Sequence, residues 1–120
     1  MNKILFKAKK LSDGEWVKGS LVKTPFGTFI EWYEDSICNK REVDPSTVCQ
    51  FTGLKDCEGN EIWEGDIVER EIYDLFKGSA KVKAVIEYMD GAFVAITDGI
   101  PYSLYFKYIT VIGNKFDKDE

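Results

Sequence analysis

Glu61, Glu64 and Asp66 form the tightest acidic group in the chain, with Trp63 among them. Two carboxylates beside an aromatic ring are the parts of a sugar-cleaving or metal-holding site, in which one group transfers a proton or coordinates while the other stays ionised. A simpler reading needs no ligand. In Glu64-Gly65-Asp66 an aspartate closing a tight turn bonds to backbone N–H groups, Gly65 holds φ > 0, and the glutamates face water. Turn capping is the preferred reading. Asp56-Cys57-Glu58-Gly59-Asn60-Glu61 has the look of a calcium loop, but its glycine stands at the wrong position and the terminal bidentate glutamate is missing. The chain has no histidine, which removes the commonest general base, zinc ligand and triad partner. Cys38, Cys49 and Cys57 are odd in number and match no zinc spacing, so they read as free thiols. No catalytic residue, no metal and no cofactor is therefore expected. A carboxylate-based hydrolase using Glu64 and Asp66 is the enzymatic alternative, and no substrate suggests itself for it.

The remaining chemistry is that of contact. Trp16, Trp32, Trp63 and the tyrosines Tyr102, Tyr105 and Tyr108 could stack on bases or on a peptide. Filling the core is the default role for most of them. Trp63 and the run Tyr102, Tyr105 and Tyr108 are the candidates for a contact surface, since clustered tyrosines in a polar setting suit one. With 16 basic and 21 acidic residues the net charge is −5, which disfavours general binding to phosphate backbones. Local basic patches at Lys7, Lys9 and Lys10, or at Lys81 and Lys83, remain candidates. These lysines alternate with apolar residues, so solvent-facing strand positions are the preferred reading.

The elements that hold these residues read as strands and tight turns. Ile4 to Lys9, Trp16 to Val22 and Thr28 to Tyr33 are strand candidates, separated by Ser12-Asp13-Gly14 and Thr24-Pro25-Phe26-Gly27. Gly19 inside a strand marks a bulge or a close packing partner. Glu34 to Glu42 shows no period and reads as a loop. Asp44 followed by Pro45 predicts one helical turn, of the 3₁₀ type, before an extended Val48 to Phe51. Phe51 and Leu54 read as apolar anchors around Thr52-Gly53, followed by a turn through Lys55, Asp56 and Gly59. Ile67 to Tyr73 is a strand, and Asp74 to Ser79 a loop whose Leu75 and Phe76 seal a barrel end. Ala80 to Tyr88 and Ala92 to Thr97 form a hairpin around Met89-Asp90-Gly91. Asp98 to Pro101 turns, Ser103 to Tyr108 is a short strand or a helical turn, and Ile109 to Phe116 is the last strand. The expectation is an all-β fold: a small β barrel or sheet domain over residues 1–120. It is made of two packed β subdomains, 1–50 and an SH3-like 51–117, followed by a short tail at 118–120. No signal peptide and no apolar run of membrane-spanning length is visible.

The run Val48, Gln50, Phe51-Thr52-Gly53-Leu54-Lys55-Asp56, Gly59, Glu61-Ile62 and Glu64-Gly65-Asp66-Ile67-Val68, with the terminal Val111-Ile112-Gly113-Asn114, resembles the YopX family of phage and prophage proteins. Ile4-Leu5-Phe6-Lys7, Gly14-Glu15-Trp16-Val17, Gly19 and Val43-Asp44-Pro45-Ser46-Thr47-Val48 resemble its N-terminal part. Cys57 stands where the family has Lys or Asn, and Trp63 where it has Tyr or Phe. The resemblance implies an all-β fold, a place in the bacterial cytoplasm and no enzymatic activity to carry over. The expected function is that of a non-enzymatic accessory protein acting by protein–protein contact, with its own copies or with a host or phage protein. A nucleic-acid-binding β barrel is the alternative.

Overall fold

The computed structural model describes residues 5–76, 78–103 and 109–117, which are antiparallel β-structure with a 3₁₀ turn. Two compact units divide the chain, Met1–Phe51 and Thr52–Glu120. Among the described residues no helix is long and apolar enough to cross a membrane.

In the first unit, β1 (Phe6–Lys9) and β2 (Trp16–Thr24) pair with Phe6 opposite Gly19 and Lys9 opposite Trp16. The chain then turns at Pro25-Phe26 into β3 (Gly27–Glu34). Gly19 is the close approach expected of it: a Cβ there would run into the backbone carbonyl of Glu31 on β3. The segment read as a loop is a strand instead, β4 (Ile37–Glu42), paired with β3 along its whole length. Two features hid it. Its side chains are almost all exposed, so no apolar alternation shows. Its turn is Asp35-Ser36, both at positive φ (51° and 65°), a two-residue hairpin without the usual glycine. Asp44 then caps the 3₁₀ turn Pro45–Thr47 as expected, its carboxylate accepting from the Ser46 N–H at 3.0 Å. β5 (Cys49–Lys55) follows, with Gln50 opposite Phe6. The order is β4-β3-β2-β1-β5. Ala8, Ile30 and Val43 form the buried centre, with Phe6, Val17, Leu21, Trp32 and Val48 packed on it.

In the second unit the end of β5 pairs with β6 (Glu61–Trp63). β7 (Asp66–Asp74), β8 (Gly78–Met89), β9 (Ala92–Thr97) and β10 (Ile100–Ser103) form a meander, and β11 (Ile109–Asn114) returns beside β7. This order suits the SH3-like expectation, although among the described residues no ladder joins β10 to β11. Asp90-Gly91 and Asp98-Gly99 are two-residue turns with φ of 50°, 88°, 51° and 77°, so Ile100 and Pro101 belong to a strand and not to the turn. Val68, Ala84, Ile86, Ala95, Ile109 and Ile62 are the core, and alternation along each strand puts them on one face.

Two expectations for apolar residues fail here. Leu54 is exposed, not an anchor. Asp74 pairs with Gly78, which shortens the expected loop to a hairpin tip, and there Leu75 and Phe76 are 84% and 96% exposed rather than sealing a barrel.

Candidate functional site

The motif residues come together around β11. Asp56 begins the turn after β5 and is 8% exposed. Its Oδ1 accepts from the N–H groups of Glu58 (2.9 Å) and Asn60 (2.8 Å), and its Oδ2 from the Asn60 amide (3.2 Å). Oδ2 also accepts from the N–H of Val111, 55 residues away, at 2.9 Å. Burial disfavours the charged carboxylate. The N–H groups of Val111, Asn60 and Glu58 and the Asn60 amide outweigh that penalty and hold its pKa below the ordinary value. Cys57 N–H donates to the Ile109 carbonyl at 3.1 Å, and its thiol lies 3.4 Å from the Thr110 hydroxyl. Gly59, at φ 85°, closes the turn by donating to the Asp56 carbonyl at 3.1 Å. Thr52 ties β5 to β6 by donating its hydroxyl to the Ile62 carbonyl at 2.7 Å, and it accepts from Leu54 N–H at 3.1 Å. Gly53 holds φ 85° between them, and Lys55 is exposed.

Asp66 grips the other end of β11. Its Oδ2 accepts from Trp63 N–H at 2.7 Å, and its Oδ1 from the Asn114 amide at 2.9 Å. Asn114 in turn accepts from Phe116 N–H at 2.9 Å. Gly65, at φ 85°, donates to the Ile86 carbonyl (2.7 Å) and accepts from Lys115 N–H (2.9 Å). Asp66 is 2% exposed and both its oxygens are engaged, so its geometry is that of a turn cap. Glu64 is half-buried beside it. The two motif aspartates therefore form a clamp that staples the terminal strand to the β5–β6 and β6–β7 turns. Sequence alone placed the turns but not the partner strand. Val111 to Asn114 had no visible link to the aspartates beyond membership of the same motif.

The aromatic candidates fare differently. Trp63 is 3% exposed and belongs to the interior, which corrects its placement on a contact surface. Tyr102 is half-buried under the Arg70 guanidinium, 4.0 Å from its ring centre. Tyr105 and Tyr108 lie outside the described residues. Arg70 drew no notice in the sequence, because its position in β7 looks like any polar strand residue. Register opposite Ile109 turns it to the core face. A groove of about 230 Å³ is lined by Cys57, Glu69, Arg70, Glu71, Lys81 and Thr110. Its charges are mixed, with Lys81 3.7 Å from Glu69. No cluster able to hold a metal ion occurs among the described residues.

A second set of side chains gathers on the face of β1 and β2 opposite to Ala8 and Val17. The Lys7 and Lys9 ammonium groups lie 4.6 Å and 5.4 Å from the Trp16 ring centre, and Lys18 stands directly opposite Lys7. Lys10, named with Lys7 and Lys9 from sequence, is turned to an ion pair with Asp13 at 3.0 Å.

A family model described as "YopX protein" matches residues 5–120. Among solved structures, protein EF1440 from Enterococcus faecalis is similar in fold, with a TM-score of 0.58 and 21% identity, over 95% of this chain and 94% of that one. No curated protein matches the chain.

Proposed function

Since the chain belongs to the YopX family, we propose that it is a non-enzymatic accessory protein of phage or prophage origin, acting in the bacterial cytoplasm by contact with other proteins, its own copies included. The observation that carries the reading is the β7–β8 hairpin. β7 and β8 pair with each other up to Asp74 and Gly78. At the hairpin's tip stand Leu75 and Phe76, 84% and 96% exposed. Apolar residues of this size exposed at a hairpin tip are what a contact element presents to a partner's pocket.

The test is light scattering and co-purification of the wild type and of a Leu75→Asp, Phe76→Asp double variant. The wild type is expected to self-associate or to retain a stoichiometric protein partner. The variant is expected to be monomeric and partner-free with an unchanged unfolding midpoint, because the tip contributes little buried area. A wild type that is strictly monomeric and retains nothing overturns the reading.

A further inference from the structure

We infer that the chain binds a second copy of itself through the face of β7 and β8 opposite to the core, about a two-fold axis that runs along the hairpin and sets the two Leu75-Phe76 tips side by side. The inference rests on the contact reading of the tip and names the partner for it. Val68, Ala84 and Ile86 pack into the core. Ile67, Glu69 and Glu71 on β7, and Lys81, Lys83 and Val85 on β8, therefore share the other face. None of the six is buried: Glu71, Lys81 and Lys83 are exposed and the rest half-buried.

Register makes this face complementary to itself. Ile67 stands opposite Val85, Glu69 opposite Lys83 and Glu71 opposite Lys81. The acids thus lie on β7 and the bases on β8. A two-fold axis between the strands lays β7 of one copy over β8 of the other at the same height, an isologous contact that closes on itself. Each of these glutamates then faces a lysine of the second copy, and Ile67 faces Val85. On the neighbouring strands Ile96 is level with Val85, and Ile112, 47% exposed, sits in the bulge beside Ile67. The same axis brings Ile96 over Ile112 of the second copy, which extends the apolar row across four strands. Sheets packed face to face lie about 10 Å apart, a gap that a lysine and a glutamate side chain span between them. An axis across the strands, centred on the same charges, would instead set β7 on β7 and glutamate on glutamate. The charges fix how the copies lie, while the apolar row and the tips supply the affinity. Leu75→Asp with Phe76→Asp would gather carboxylates of both copies on the axis, so that variant is expected to be monomeric.

The experiment makes four exchanges together: Glu69→Lys, Glu71→Lys, Lys81→Glu and Lys83→Glu. They reverse each of these charges but keep every pair opposite in sign across the ladder, the 3.7 Å Lys81–Glu69 ion pair included. The hairpin and its tip are thereby retained. By sedimentation the fourfold variant is expected to self-associate as the wild type does. The two are then mixed and left to exchange subunits at about 50 mM salt. Native mass spectrometry should find almost no mixed dimer, where indifferent pairing gives about one-half. Lys81→Glu with Lys83→Glu, and separately Glu69→Lys with Glu71→Lys, should each be monomeric, and the two together should form a heterodimer.

Free mixing of the fourfold variant with the wild type overturns the inference and leaves the tip reading standing, since the copies then meet through another surface. Undiminished association of Lys81→Glu with Lys83→Glu does the same, as does a monomeric wild type that retains a different protein. A wild type that is monomeric and retains nothing overturns both.

Discussion

Asp56 does the most with one side chain. Four donors converge on its carboxylate, one of them from β11. Asparagine in its place keeps one acceptor and turns an N–H₂ toward donors. Asp56→Asn should therefore cost about 2 kcal/mol at neutral pH, the order of a hydrogen bond to a charged group left unmade. The pH dependence has a definite sign. The folded-state pKa lies below the unfolded value, so the stabilisation is complete above about pH 4 and is lost as pH falls through the folded value. Urea unfolding of wild type and variant should give a gap that is wide at pH 7 and narrow at pH 3. An equal gap at both would show that the ionised carboxylate is not what holds the turn. At this scale the sequence was informative, because Asp-then-Gly turn chemistry is local. Gly65 and Gly59 hold the positive φ that their turns demand. Asp66 caps as its position implied, whereas the burial of Trp63 depended on what folds over it.

At the scale of elements, packing between strands decides. β2 and β3 meet at Gly19, where the obstacle to a Cβ is the Glu31 carbonyl, which cannot swing aside as a side chain would. Gly19→Ala should thus destabilise by about 1–3 kcal/mol, the usual range for overpacking. A fall in the urea midpoint at unchanged m-value would bear this out, and an unchanged midpoint would show that the strands can separate at no cost. β1, β2, β3, β8 and β9 were legible because each carries alternation or β-branched residues between turn signals. β4 was not, since an edge strand with both faces wet has no apolar pattern to show. Its backbone pairs with β3 whatever its side chains do. The tip Leu75-Phe76 failed for the reverse reason: two apolar residues in a loop look like a plug until the strands on either side are seen to pair right up to them.

At the scale of the molecule, the proposed contact through Leu75 and Phe76 is recognised by its response to salt. Association through the apolar tip should hold or strengthen as salt rises, whereas a contact between charged groups would weaken. Sedimentation of the protein from low to high salt should show the associated species persisting. Dissociation at high salt would mean that charged groups, and not the tip, hold the copies together. The all-β class and most turns follow from the sequence alone, because they rest on short-range chemistry: alternation of period two, aspartates before glycines, a proline after a cap; the family follows from the likeness of its motifs. What only the tertiary structure decided is which distant groups meet. Val111 and Asn114 complete the coordination of Asp56 and Asp66, Arg70 covers Tyr102, and Lys18 stands opposite Lys7 around Trp16. Each depends on strand register, and a register one residue away would turn every one of these side chains to the other face.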